Sequence, residues 1–177
     1  MIRKDIKRVV VEYFLVNPTA KLRVRGIERT LKMPLPSVIR YCKELAEEGV
    51  LTIIKTGNVR FYTANRANEN YLLVKKLFNL RQVFESGLIE HLRRELSNPT
   101  IVLFGSYLRG EDIEGSDVDL YLETQSNKKL DLMKYEQQLK RGIQLLRHKS
   151  IKEIPNHHLA NNIINGLTIN GFLEVFK

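Results

Sequence analysis

A β-prone apolar run, Thr100-Ile-Val-Leu-Phe104, stops without a linker at Gly105-Ser106, and Asp117-Val118-Asp119 begins eleven residues after that serine. Side chains alternate along a strand, so Asp117 and Asp119 share one face while Val118 and Leu120 take the other. Two carboxylates this close repel unless a cation lies between them or one binds a proton. Magnesium is such a cation, commonly held by one or two carboxylates together with substrate phosphates. Backbone amides at the start of a helical turn after Phe104 point outward and can receive phosphate oxygens. Gly105 permits close backbone approach there, and Ser106 adds a hydroxyl donor. Strand, Gly-Ser turn and Asp-x-Asp strand together suit a nucleoside triphosphate and its metal. The acidic stretch between them, with Glu111, Asp112 and Glu114, is expected to be a solvated loop.

Phe104-Gly-Ser106, Gly110 and Ser116-Asp-Val-Asp-Leu120 resemble the signature of the DNA polymerase β-like nucleotidyltransferase superfamily, and more closely the minimal nucleotidyltransferases of archaea and bacteria. The resemblance spans about residues 100–177, with the sharp motif confined to 104–120. It implies a small mixed-sheet fold that moves a nucleoside monophosphate from a nucleoside triphosphate (NTP) to a hydroxyl. It further implies Gly105, Ser106, Arg109, Gly110 and Ser116 as the nucleotide and phosphate contacts. Asp117 and Asp119 are implied as catalytic residues and as ligands of magnesium or manganese. Lys129 to Arg141 is expected to form a helix, and Ile143-Gln-Leu-Leu146 the next strand. The family usually carries a third carboxylate on that strand, and the matching place here holds Gln144. Glutamine brings no charge and cannot act as a general base. Three readings stay open: a shifted register, substitution by Glu123 or Glu153, or nucleotide binding without efficient transfer.

Most of the basic charge lies elsewhere. Residues 1–66 hold 14 Lys/Arg against 6 Asp/Glu, a difference of +8 within a net charge of +9. Such asymmetry suits a surface that meets a polyanion. Ile6, Val9, Val10, Tyr13 and Phe14 recur at helical spacing, and Asn17-Pro18 ends that helix. Val24, Ile27 and Leu31 mark a second helix, and Val38, Tyr41, Cys42 and Leu45 a third, with Gly49 where a left-handed cap falls. Leu51 to Lys55 and Val59 to Thr63 then read as a hairpin. Three helices followed by a hairpin is the order of a winged helix-turn-helix. The segment from Ser37 through Val50 resembles the recognition helix of archaeal and bacterial winged-helix regulators, which enters the major groove while the hairpin touches phosphates. The resemblance makes Ser37, Arg40, Tyr41 and Lys43 candidate DNA contacts, with Lys55 and Arg60 on the wing. The same pattern admits Ser37 as a helix cap, Tyr41 as a core residue and Lys43 as a solvated lysine.

The expected architecture is α+β: a winged helix over residues 1–66, a connecting helical segment over 67–98, and a nucleotidyltransferase domain over 99–177. The connector's dense apolar residues suit one buried helix, or two hinged near Gly87. No apolar run approaches the roughly 20 residues of a membrane helix, and the single Cys42 excludes an internal disulfide. A cytoplasmic location is expected, with DNA and a nucleoside triphosphate as partners and no membrane. Winged-helix regulators commonly pair to match half-sites, and minimal nucleotidyltransferases often have small helical partners, so a homodimer and such a protein complete the candidates. The alternative to an enzyme is a DNA-binding transcriptional regulator whose second domain senses nucleotide or dimerises.

Overall fold

The computed structural model describes residues 5–176, and the chain divides into two units, Met1–Lys75 and Lys76–Lys177.

In the first unit, Asp5 caps α1 (Ile6–Val16) by accepting from the Arg8 amide at 3.1 Å. That satisfies one of the amides a helix start leaves open. The helix buries Val10, Phe14 and Leu15 and ends at Asn17, ahead of Pro18. α2 (Val24–Leu31) buries Ile27. α3 (Leu35–Glu47) carries Pro36 in its first turn, where a missing amide hydrogen does no harm, and it buries Val38, Cys42 and Leu45. Burial pushes the Cys42 thiol up to about 12, so it behaves as a small hydrophobe. Gly49 follows with φ +75°, the left-handed cap expected from the sequence. The strands β1 (Leu51–Thr56) and β2 (Val59–Ala64) pair antiparallel around a Gly57-Asn58 turn. Leu22, ahead of α2, exchanges backbone hydrogen bonds of 3.0 and 2.8 Å with Tyr62 on the outer edge of β2.

α4 (Glu69–Glu85) and α5 (Leu88–Glu95) meet at Gly87, whose φ of +77° makes the hinge that the lone glycine in this stretch foretold. In the second unit a four-stranded sheet has the order β5-β4-β3-β6. β3 (Thr100–Phe104) lies antiparallel to both β4 (Val118–Glu123) and β6 (Leu167–Asn170), and β4 runs parallel to β5 (Ile143–His148). Strand alternation divides the core in two. Ile101, Leu103, Val118, Leu120 and Leu122 pack with Val83, Leu88 and Leu92, together with Tyr135 and Leu139 of α7 (Met133–Leu139). Val102, Phe104 and Tyr121 pack on the other side with Ile151, Ile154 and Ile163, the last from α8 (His157–Ile164). α6 (Gly105–Arg109) springs directly from β3.

The helix expected over Lys129 to Arg141 is shorter than the sequence suggests. Asp131 accepts from the Met133 amide at 3.1 Å, and Leu130 and Leu132 reach the core before the helix begins. A short polar side chain bonding its own backbone competes with helix, and here it wins for one turn.

Asp112 differs from its acidic neighbours in the sequence. It does not belong to a solvated loop with Glu111 and Glu114: it is 1% exposed and forms an ion pair with Arg141, Oδ2 lying 3.0 Å from both Nε and Nη2. Asn79 donates to the other Asp112 oxygen at 2.7 Å and to the Tyr107 carbonyl at 2.8 Å. Arg141 also donates to the Lys140 carbonyl at 2.8 Å. A carboxylate can be this buried only when paired and hydrogen-bonded.

Candidate functional site

Asp119 pairs with Phe104 of β3 on one side and with Gln144 of β5 on the other. The carboxylate pair thus rises between two strands, directly beside the Gly105 turn. Val118, between the aspartates, is fully buried, while Asp117 is exposed and Asp119 half-buried. Burial, and then the Asp117 charge, hold the Asp119 carboxyl above its ordinary value; Arg109 offsets part of this.

Two glycines make room for the pair. Gly105 has φ +76°, and a Cβ there would collide with the Asp119 carboxylate. A Cβ on Gly142 would collide with the Asp117 carboxylate. Gly105 stands in the sequence motif, but Gly142 has no local signature and is recognised only once β5 lies beside β4. Gly142→Ala should leave stability within about 1 kcal/mol, since a side-chain end can move aside. It should still weaken metal-dependent nucleotide binding about tenfold or more through misplacement of Asp117; thermal denaturation beside calorimetry checks both.

The remaining candidates occupy distinct positions around the pair. Ser106 is half-buried in the first turn of α6, whose leading amides lack intrahelical acceptors. Arg109 is exposed and bonds Glu111 at 2.7 Å. Gly110 caps α6 in the left-handed conformation, φ +75°, so the geometry accounts for it as a helix terminator. The Ser116 hydroxyl oxygen accepts from the Ile113 amide at 2.9 Å, tightening the loop before Asp117.

Gln144, at the place where the family carries its third carboxylate, lies directly beside Asp119. Glu123 pairs with His148, four positions further along both strands, roughly 13 Å away at the usual strand rise. Its carboxylate accepts from the Ile151 amide at 3.1 Å and the Tyr121 hydroxyl at 3.2 Å. Glu153 accepts from the Lys149 amide at 3.1 Å. Both glutamates lie at the His148 end of β5, away from the aspartate pair. Among the described residues no group of three or more His, Cys, Asp or Glu is placed to hold a metal ion. A divalent ion completed by substrate phosphates nevertheless fits the two aspartates, because two carboxylates side by side present negative charge that a cation would neutralise.

That raised value has a consequence for stability. Asp119 titrates higher in the folded chain than unfolded, so its contribution is favourable at low pH and is lost as pH rises through the folded value. Asp119→Asn should therefore raise the melting temperature at neutral pH in metal-free buffer. An increase of about 1–3 °C is expected after discounting for solvent screening. The difference should vanish below the ordinary carboxylate range.

In the first unit, Arg40 is exposed, lies over the Tyr41 ring at 4.4 Å, donates to the Tyr41 hydroxyl and reaches Glu44 at 3.7 Å. Lys43 is exposed and reaches Glu47 at 3.7 Å. Ser37 and Tyr41 are half-buried on the same helix. Lys55 and Arg60 are exposed and face each other directly across the hairpin. Like charges so placed destabilise a strand pair, and that makes the hairpin suited to an anion.

Residues 85–168 match the family model of the nucleotidyltransferase domain. The match covers α5 through β4, β5 and the start of β6, and it supports nucleotidyl transfer as the general activity of the second unit. No curated protein and no solved structure matches the chain. No helix among the described residues is long and apolar enough to cross a membrane.

Proposed function

We propose that the second unit transfers a nucleoside monophosphate from a nucleoside triphosphate to a hydroxyl. We further propose that the first unit is a winged helix that binds DNA. The observation that carries the first half is the Asp117–Asp119 pair set over Gly105 and Gly142, within a segment matching the nucleotidyltransferase model.

In the proposed reaction the acceptor oxygen bonds to the α-phosphorus and the bond to the bridging oxygen breaks. Pyrophosphate leaves, and the hydroxyl proton passes to solvent. Asp117 and Asp119 would hold magnesium or manganese. A bound divalent ion supplies neutralising charge for the triphosphate and lowers the pKa of the acceptor hydroxyl. Ser106 and the first amides of α6 are assigned to the phosphates, with Arg109 as an adjacent positive charge. The proposal for DNA is supported by the order of three helices and a hairpin, and by the opposed Lys55 and Arg60.

Gln144 favours a second reading, in which the chain is a DNA-binding regulator and the second unit binds nucleotide without turning it over. Calorimetric titration of ATP, GTP, CTP and UTP with magnesium, with Asp117→Asn as control, tests the site common to both. Binding lost in the control is expected; equal binding by wild type and control would remove the aspartates from the site. Gln144→Asp separates the two readings. If glutamine limits turnover, the variant should release pyrophosphate faster by about 10²-fold, the usual scale of a restored general base. An unchanged, already measurable rate would assign transfer to the native site.

A further inference from the structure

A cleft of about 700 Å³ lies in the first unit between the start of α2 and the hairpin. Its walls carry Lys21, Arg23, Arg25, Arg29 and Arg60, and no carboxylate. All five are exposed. None makes an ion pair with a described residue. Arg25 and Arg29 stand one helical turn apart, so they share a face of α2.

α3 differs. Its exposed Arg40 and Lys43 are each matched one turn on by Glu44 and Glu47, and Glu48 meets Lys7 at 2.5 Å. Those acids cancel the charge that α3 would present to a polyanion. The concentrated excess of the first third therefore converges on the cleft instead.

Resting on the reading that this unit binds nucleic acid, we infer that the cleft between α2 and the hairpin, and not the exposed face of α3, seats the phosphodiester backbone. Five unmatched cations in one concavity repel one another, and phosphates that displace counterions relieve that repulsion. The Arg23 guanidinium lies over the Phe61 ring at 5.3 Å, so the aromatic group in the cleft wall is itself engaged with one of the cations. Recognition there is of charge along a strand, independent of sequence.

The test is fluorescence anisotropy of a labelled mixed-sequence DNA duplex with the full chain over a salt series. The variants are Arg25→Ala/Arg29→Ala/Arg60→Ala and Arg40→Ala/Lys43→Ala. Each phosphate neutralised contributes about 0.9 to the slope of log affinity against log salt. The triple variant should lose about 2–3 from that slope and bind about tenfold or more weakly. The α3 variant should change less than about threefold, the scale of exposed paired charges. Arg25→Lys/Arg29→Lys/Arg60→Lys should retain most of the affinity, excluding misfolding as the cause. Loss in the α3 variant with wild-type binding by the triple variant would overturn the inference alone. Displacement of the duplex by equimolar inorganic triphosphate would make the cleft a small-anion pocket and overturn it too. No binding of duplex by the wild-type chain would overturn the DNA reading itself.

Discussion

Asp117→Asn and Asp119→Asn are each expected to reduce metal-dependent nucleotidyl transfer by about 10²–10³-fold, the scale seen when one preorganised electrostatic group is lost from a reacting centre. Each change keeps shape and volume but removes half of the negative charge that would hold the cation. Asp119 is the more confined of the two, half-buried between Phe104 and Gln144. Its substitution should stabilise the fold while lowering activity by that factor, a pattern typical of functional positions. The discriminating measurement is pyrophosphate release alongside thermal denaturation of the same samples. Loss of activity together with unchanged or raised stability supports the site. Full activity in either variant would remove that aspartate from the chemistry.

Arg141→Met is expected to destabilise the full chain by about 3–5 kcal/mol, because it takes the guanidinium away from Asp112 Oδ2 in the interior. Asp112 is essentially inaccessible and Arg141 nearly so. Asn79 bonds one Asp112 oxygen, but a neutral amide cannot replace a guanidinium bound to the other. Replacing both partners, as Asp112→Asn/Arg141→Met, should recover much of the loss, since the carboxylate charge that Arg141 offsets is removed together with the guanidinium. Urea denaturation of wild type, both single variants and the double variant gives the coupling directly. Additive losses would mean that the ion pair does not act as a unit. The pair also adjoins the proposed site: Arg141 immediately precedes Gly142, and Asp112 lies in the loop leading to Asp117. Tying the two together holds the Gly142 backbone beneath the Asp117 carboxylate.

Much of the site is legible locally. The alternation Asp117-Val118-Asp119 places both carboxylates on one face from strand geometry alone. Gly105 signals a turn, and the family resemblance puts Gln144 at the place of the third carboxylate, which the β4–β5 register sets beside Asp119. The Gly87 hinge and the Gly49 cap follow from glycine's tolerance of positive φ. The Asp112–Arg141 pair is illegible because the partners stand 29 residues apart, and Asp112 sits among acids that resemble a solvated run. Gly142 escapes notice for a related reason: the carboxylate that requires it belongs to a neighbouring strand. The ion pairs of Arg40 with Glu44 and Lys43 with Glu47 stand at i,i+4 spacing, a pattern that the expectation of Arg40 and Lys43 as DNA contacts does not weigh. Where the unmatched arginines converge depends on the hairpin folding back toward α2, and no local pattern reveals that.

Asp117 and Asp119 are proposed to form a working nucleotidyl-transfer site despite glutamine at position 144. That proposal is tested most directly by incubating the full chain with magnesium, α-phosphate-labelled nucleoside triphosphates and DNA, and following label and pyrophosphate together. Label transferred to an acceptor with equimolar pyrophosphate, absent in Asp119→Asn, is the predicted result. Magnesium-dependent triphosphate binding with no pyrophosphate from wild type, and rapid release from Gln144→Asp, would contradict it and leave a nucleotide-sensing DNA-binding protein.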